Sequence, residues 1–258
     1  MTAARTLGAR PGRRGRWSVL ALGGVALTLA LLLLPASAAG AGSGPTATKT
    51  LRPPYVHALP FTFRETATSF CSATAGFSSP PTASPRTGNV SISAFSRAAG
   101  CGNQYAQSTA DGSVGFTGIN YTARSGAPLN ITFTWTLSWS ARLSASPGVG
   151  ASPYNAYAYV QIYQQEFVYD LVTGYTAGYA VQNVWSNFTY NGSISTVVHG
   201  NLSVASTVFT PTPGHVYAMQ PNVWVFVSAF ADPGATAAAT VDMSTSGFGG
   251  ELTQIVVS

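Results

Sequence analysis

One stretch decides the fold of this chain: Leu129-Asn-Ile-Thr-Phe-Thr-Trp-Thr-Leu-Ser-Trp-Ser-Ala-Arg-Leu143. Its odd-numbered positions are apolar, and its even-numbered positions are polar. Alternation with a period of two is typical of a strand with one buried face, because successive side chains of a strand point to opposite sides. A helix would spread the same apolar residues around its whole circumference. The stretch therefore predicts a half-buried β-strand.

Val223–Ala231 and residues 156–163 show the same period. In Val223–Ala231 the valines alternate with Trp224, Phe226 and Phe230, and since both faces are apolar we expect a central strand. Further strands are predicted at 61–70, 90–97, 112–122, 156–163, 166–172, 175–186, 202–209, 235–245 and 251–257.

Turn residues separate these strands. Thr173-Gly174 and Asn191-Gly192 predict hairpins, while Pro213-Gly214 and Pro233-Gly234 predict turns. No long amphipathic helix is predicted after the N-terminal segment. Many short strands with Gly/Pro turns favour an all-β fold, a single antiparallel β-sandwich of jelly-roll type.

The first 38 residues predict a secretory signal peptide. Arginines between Arg5 and Arg16 precede an apolar run, Trp17 to Leu34, which small residues follow. Cleavage is expected after Ala38, with Ala41 as an alternative. An uncleaved anchor is the other interpretation, since 18 apolar residues are at the low end for a bilayer span. Arg13-Arg14 leaves the twin-arginine export route open beside the general one.

Removal of residues 1–38 changes the charge balance. The formal net charge of the whole chain is +5, but five of the twelve basic residues lie in that segment, which leaves seven basic and seven acidic side chains. A neutral domain does not favour a nucleic-acid partner.

Residues 39–54, rich in small residues and proline, predict a flexible linker, and 55–258 predict the β-sandwich domain. The 7% of charged residues excludes a charged helical bundle and polyelectrolyte disorder.

Cysteines and sequons fit an exported chain. Cys71 and Cys101 predict a disulfide, with a pair of free buried thiols as the alternative. No histidine stands near either cysteine at ligand spacing, so neither a metal nor a cofactor is expected. Six N-x-S/T sequons predict N-glycosylation, at Asn89, Asn120, Asn130, Asn187, Asn191 and Asn201. Asn130 lies on the polar side of the first strand, where a glycan could project outward.

The catalytic inventory is thin. No nucleophile elbow, zinc-protease motif, P-loop or dinucleotide fingerprint occurs, and His57, His199 and His215 are scattered. Glu166 and Asp170 share a strand face but lie about 13 Å apart by strand rise, farther than the carboxylates of a glycosidase. Asp170 is expected to cap the turn after it. We predict that the protein is not an enzyme and assign no catalytic residues.

A tyrosine row is the best candidate for binding. Because Ala156, Ala158, Val160 and Ile162 form a natural core face, the residues between them should face outward; these are Tyr157, Tyr159, Gln161 and Tyr163. Tyrosine rings beside amides can stack on sugar rings and bond their hydroxyls. The alternative is that the rings pack under a neighbouring strand or loop, since tyrosine has a high strand propensity.

The C-terminal strands carry a family resemblance. Pro213-Gly214-His215-Val216-Tyr217, then Val223–Ala231, Ala237–Thr245 and Leu252–Val257, resemble exported β-sandwich proteins of archaea and bacteria. The resemblance covers about the last 45 residues. It implies a jelly-roll-like fold and an exterior location, and it brings no catalytic residues.

These observations predict a non-catalytic, secreted or cell-surface protein, glycosylated, with a structural or interaction role in the envelope or extracellular matrix. The alternative is a carbohydrate-binding or adhesion module that uses the tyrosine row. A filament subunit and a glycoside hydrolase rank below both. Glycans or envelope proteins are the expected partners, with membrane contact only through an uncleaved N-terminal segment; the oligomeric state is left open.

Overall fold

The computed structural model describes residues 48–59, 62–69, 71–148, 152 and 154–258. The predicted signal peptide, 1–38, lies outside the described residues, as does the predicted linker up to residue 47. Residues 49–51, at the end of that linker, form a strand. No helix of the described residues is long and apolar enough to cross a membrane.

Fourteen strands make up the described part of the chain. They are β1 (Lys49–Leu51), β2 (His57–Ala58), β3 (Thr62–Ser69), β4 (Ser72–Ser84), β5 (Asn89–Ala99), β6 (Ala106–Thr117), β7 (Ile119–Thr122), β8 (Leu129–Ser146), β9 (Ala156–Asp170), β10 (Thr176–Thr189), β11 (Gly192–Phe209), β12 (Val216–Ala231), β13 (Thr236–Met243) and β14 (Gly249–Val257).

The strands form two antiparallel sheets. Sheet 1 has the order β4-β5-β13-β8-β11, with β14 continuing the position of β13 and β1 pairing with β14. Sheet 2 has the order β10-β9-β12-β6-β3, with β7 beside β12 and β2 beside β6. The all-β sandwich is therefore confirmed.

The strand order is that of a jelly roll. We count β5, β6, β8, β9, β10, β11, β12 and β13/β14 as eight successive strands. Sheet 1 then contains the first, eighth, third and sixth, while sheet 2 contains the second, seventh, fourth and fifth. This arrangement is two Greek keys folded over one another. Strands β4 and β3 extend the two sheets at one side of the sandwich.

The core lies between the inner faces of the two sheets. From β8 come large side chains, among them Phe133, Trp135 and Leu137, all fully buried. From sheet 2 come small and aliphatic ones, such as Ala158 and Val225, also fully buried. Large residues of one sheet interdigitating with small residues of the other fill the space without voids. The alternation predicted for β8 is confirmed over the whole strand.

Some sequence predictions were wrong in detail. Segments 156–163 and 166–172 are one strand, β9. Strand β4 was missed because its alternation, from Ser72 to Phe77, is short and rests on small residues, and because Pro80-Pro81 argues against a strand. Asn191-Gly192 does not close a hairpin, because β10 lies in sheet 2 and β11 in sheet 1. Turn residues specify a chain reversal and leave open which strands pair. Thr173-Gly174 does close the β9–β10 hairpin, and Gly174 has a φ of 77°.

The middle strand of sheet 1 is interrupted. Both β13 and β14 pair with β5 and β8, one after the other, and residues 244–248 leave the sheet between them. The Asp242 carboxylate fixes this departure, since it accepts bonds from the backbone and hydroxyl of Ser244 (both 2.8 Å) and from the Thr245 hydroxyl (2.7 Å). Asp242 is therefore occupied by its own turn.

The predicted disulfide is present. Cys71 lies between β3 and β4, Cys101 follows β5, and their Cα atoms are 5.6 Å apart. Both cysteines sit where the chain passes from one sheet to the other. The bridge therefore ties two consecutive crossings together at the side of the sandwich that β3 and β4 extend.

Removing this bridge should destabilise the domain. We expect Cys71→Ser/Cys101→Ser to lower the free energy of unfolding by about 3–4 kcal/mol, because the unfolded chain gains the freedom that the closed loop denied it. Urea unfolding followed by tryptophan fluorescence measures the change. A reducing agent should reproduce the loss in the unmodified protein and leave the variant unaffected; equal stability of both proteins would contradict the expectation.

A glutamic acid lies inside the core. Glu166 is fully buried on the inner face of β9, and the Trp135 indole N–H donates to its Oε1 at 2.9 Å. Its Oε2 has no hydrogen-bond partner within the protein. Burial raises the pKa of Glu166 well above its usual value, although hydrogen bonds from Trp135 and Gln164 favour the charged form. The side chain is therefore protonated in the folded protein over a range where the unfolded chain ionises.

The contribution of Glu166 to stability should consequently fall as the pH rises. Below the ordinary pKa of about 4.5, Glu166 is neutral in both states and imposes no penalty. Above it, each pH unit costs about 1.4 kcal/mol until the folded-state pKa is reached. Glu166→Gln is isosteric and does not titrate, so the unfolding free energy of this variant minus that of the unmodified protein should grow with pH. Urea unfolding between pH 4 and pH 8 tests this, and a difference independent of pH would refute it.

Candidate functional site

The predicted tyrosine row stands on the outer face of sheet 2. Ala156, Ala158, Val160 and Ile162 are completely buried toward the core, while Tyr157, Tyr159, Gln161 and Tyr163 between them are half-buried and face away from it. The row continues down β9 with Gln165, Phe167 and Tyr169. The predicted alternation of buried and outward-facing residues along β9 is therefore confirmed.

Aromatic residues of the neighbouring strands complete this surface. Strand register brings Trp224, Phe226 and Phe230 of β12 to one side of β9, and Tyr179 and Phe188 of β10 to the other. We call this set the aromatic face; it consists of Tyr157, Tyr159, Tyr163, Phe167, Tyr169, Tyr179, Phe188, Trp224, Phe226 and Phe230. Tyr179 and Phe188 are 49% and 57% exposed, so the β10 side is open to solvent.

The rings pair across the strands. Tyr157 stacks on Phe230 with a centroid distance of 5.5 Å and an angle of 12°, and Tyr163 stacks on Trp224 at 5.8 Å and 11°. Phe167 contacts Tyr179 at 4.9 Å. The aromatic face is thus a series of ring pairs along β9, each formed with a ring of a neighbouring strand in the same sheet.

An amide row lies between two of these ring pairs. Gln165 of β9 is opposite Asn222 of β12, with Tyr163 and Trp224 on one side and Phe167 on the other. Gln165 donates to the Tyr179 hydroxyl at 2.8 Å. The Gln165 Oε1, the Asn222 Oδ1 and the Trp224 Nε1 are shielded from solvent and have no hydrogen-bond partner within the protein. Three unsatisfied polar atoms are therefore concentrated here.

A charged pair borders the aromatic face on the β6 side. Arg64 of β3 lies opposite Asp111 of β6, and together with Thr66, Thr109 and Phe226 they line a hollow of about 220 Å³. Burial raises the pKa of Asp111, while the charge and the backbone hydrogen bond of Arg64 act against the rise. Burial, followed by Tyr179 and Asp111, raises the pKa of Tyr163, which keeps its phenol as a donor.

At its far end β9 is fixed by Asp170. The Asp170 Oδ1 accepts from the Val172 N–H at 2.9 Å, and its Oδ2 lies 2.8 Å from the His215 Nδ1. The predicted turn-capping role of Asp170 is confirmed, and the His215 contact was not predicted. We call this Asp170–His215 contact the clasp. It connects the β9–β10 turn to the loop before β12, and these three strands carry the aromatic face.

The six sequon asparagines differ in accessibility. Asn89, Asn120 and Asn191 are exposed, whereas Asn130, Asn187 and Asn201 are half-buried, and the Asn130 Oδ1 is shielded from solvent. Asn120 of β7 is opposite Ala218 of β12, which is opposite Tyr169, so it stands at the end of the aromatic face. Their glycosylation stays a prediction.

A second hollow lies on the outer face of sheet 1, at the interruption of β13/β14. It has a volume of about 360 Å³, and its lining includes Thr82, Asn89, Ser138, Phe248 and Glu251. Phe248 stacks on His199 at 5.2 Å. Among the described residues, no three His, Cys, Asp or Glu side chains converge to hold a metal ion.

Comparisons with known proteins give little. No family model matches the chain, and no curated protein matches it. Among solved structures, the chain is similar to the enzymatically active domain of tailspike protein 4 of bacteriophage CBA120, with 14% identity over 63% of this chain and 19% of that one, at a TM-score of 0.16. It thus spans about a fifth of that chain. It is also similar to the family 11 carbohydrate-binding module of the cellulase Lic26A-Cel5E of Clostridium thermocellum, with 7% identity over 81% of this chain and 96% of that one, at a TM-score of 0.17.

Scores this low carry no argument about fold or ligands. The C-terminal residues that carry the family resemblance do form strands, β12, β13 and β14. Function must therefore be argued from the residues of the aromatic face.

Acid should weaken the clasp at Asp170. Burial opposes ionisation of this carboxyl, but bonds from His215, Val172 and Thr173 outweigh it and lower the pKa of Asp170 to about 2. A lowered pKa stabilises the fold above the ordinary value of 3.8, and this contribution is lost as the pH falls toward 2. The urea midpoint of Asp170→Asn should lie below that of the unmodified protein at pH 6, with the gap closing by pH 2. A gap that persists at pH 2 would contradict this assignment.

Proposed function

We propose that this protein is a non-catalytic, extracellular β-sandwich that binds carbohydrate on its aromatic face. One observation supports this most: ring pairs and side-chain amides alternate along one open sheet face, with unsatisfied polar atoms between the rings. Apolar faces of sugar rings stack on aromatic side chains, and sugar hydroxyls bond amides and indole N–H groups.

The inner core has no need of these aromatic residues. The valines and alanines on the other side of β9 and β12 are already buried against the inner face of sheet 1. Of the ten aromatic side chains on the opposite side, Tyr179 and Phe188 are exposed and the other eight are half-buried, so part of their apolar surface meets water. A contiguous exposed apolar patch of this kind marks an interaction site. Tyrosine and tryptophan suit a ligand with both apolar and hydroxyl-bearing sides.

An exterior location agrees with the disulfide. Disulfides persist outside the reducing cytosol, and the Cys71–Cys101 bridge is formed. The N-terminal segment would supply the export signal, and N-glycans on the exposed sequons would add solubility to a surface with few charges.

A structural role in the envelope is the second candidate. It is favoured by the outer strand of sheet 1, β11, where Val197, Leu202 and Val208 are 58%, 65% and 66% exposed on a sheet edge that no other described strand pairs with. An edge of this kind invites strand pairing with another chain. Only self-association of the isolated domain would give this candidate priority over sugar binding.

Polysaccharide binding tests the proposal. Residues 39–258 are passed through native gels that contain soluble polysaccharides, and binding retards the protein. The expected result is retardation by at least one polymer and its loss in Tyr163→Ala/Trp224→Ala, because the stacking surface is removed. Calorimetry on the retarding polymer gives the affinity.

The matched control is Phe248→Ala. It removes an aromatic residue that stacks on His199 on the other sheet, and it should bind like the unmodified protein. Binding that survives in the double variant, or that Phe248→Ala abolishes equally, would contradict the aromatic face as the site.

A further inference from the structure

Three unsatisfied atoms at the amide row allow the ligand to be specified further. We infer that the aromatic face takes an uncharged, extended polysaccharide laid along β9, and that Gln165, Asn222 and Trp224 form the subsite that bonds its hydroxyls. This inference rests on the proposed function and adds the class of ligand and the residues that select it.

Charge on the surface argues for a neutral ligand. On the outward positions of β3, β6, β9, β10 and β12, Arg64 and Asp111 are the only charged side chains in the described part of the chain, and they lie opposite each other. Among these positions a polyuronate would meet only Arg64 as a cation, with the Asp111 carboxyl opposite it, so a charged polymer would lose hydration with little compensation. A polymer of neutral sugars meets no such penalty.

The length of the surface argues for an extended chain. Ring pairs occur at Tyr157, Tyr163 and Phe167, and the row reaches Tyr169. Twelve residues of strand separate Tyr157 from Tyr169, which is about 40 Å. A monosaccharide covers only one ring pair, so affinity should rise with the number of sugar units until several pairs are engaged.

The amide row supplies the hydroxyl contacts. Gln165 Oε1 and Asn222 Oδ1 are acceptors, Trp224 Nε1 is a donor, and all three lack partners within the protein. A buried polar atom without a hydrogen bond destabilises a protein. Because these atoms are shielded from solvent in the unliganded protein, binding has to rotate the Gln165, Asn222 and Trp224 side chains slightly outward. A sugar hydroxyl between the two ring pairs can then donate to one such atom and accept from another.

The first experiment measures affinity against ligand length and charge. Calorimetry compares neutral oligosaccharides of one to eight units, cut from whichever neutral polymer retards the protein, with oligogalacturonates of the same lengths. The expected result is an affinity that rises over several units for the neutral series and no binding of the charged series. Equal binding of a monosaccharide and an octasaccharide, or preference for the galacturonates, would overturn the inference while leaving carbohydrate binding intact.

The second experiment removes polar atoms and keeps the shape. Trp224→Phe retains a ring but deletes the N–H, and Gln165→Met retains length but deletes the amide. We expect each to weaken binding of the neutral octasaccharide roughly three- to tenfold. The control is Gln182→Met, which changes an exposed glutamine of β10 paired with the inward-facing Gln164. It should leave affinity unchanged.

Thermal unfolding shows whether each variant folds. An indole N–H resonance that shifts on ligand addition and is missing in Trp224→Phe would locate the contact directly. Folded variants that bind like the unmodified protein would refute the amide subsite. If no polysaccharide binds at all, the proposed function fails with it, and concentration-dependent dimerisation abolished by Tyr163→Ala/Trp224→Ala would assign the aromatic face to a second copy of the chain.

Discussion

The fit between the large side chains of β8 and the small ones of β9 and β12 is the constraint on which the rest of the structure depends. Trp135 of β8 stacks on Phe116 of β6 and donates to Glu166 of β9, and all three side chains are fully buried. Because side chains alternate along a strand, a shift of β9 by one residue would turn its tyrosines inward. Packing inside the sandwich therefore determines which residues of β9 and β12 face outward. The core thus positions the aromatic face, although the aromatic side chains are not part of that core.

Sequence patterns were most informative for features that depend on a single strand. The alternation of Leu129–Leu143 predicted a strand that the structure extends to Ser146, and the apolar set from Ala156 to Ile162 predicted the direction of the tyrosines. The pairing of Tyr163 with Trp224 could not be predicted, since it depends on register between strands about 60 residues apart. The apolar outer side of β12 indicated a central strand correctly, but its aromatic residues join the aromatic face instead of a second core.

Two carboxyl groups on one strand show what sequence alone could not reveal. Glu166 and Asp170 point to the same side of β9, yet burial raises the pKa of the first and hydrogen bonds lower that of the second. The sequence shows which residues these are and how far apart they lie. It does not show their hydrogen-bond partners, Trp135 and His215, which are about 30 and 45 residues away along the chain. Asp242 is likewise held in its own turn. Three of the seven acidic side chains are therefore engaged in hydrogen bonds within the domain.

The interrupted strand β13/β14 has a consequence for the order of folding. These last described strands fill the middle of sheet 1, between β5 and β8, so a chain that has emerged only as far as β11 cannot assemble that sheet. Contacts between segments so distant in sequence form slowly, and an incomplete sheet leaves apolar faces uncovered. Sheet 1 can therefore close only once residue 257 is available, and until then the facing edges of β5 and β8 lack the strands that join them.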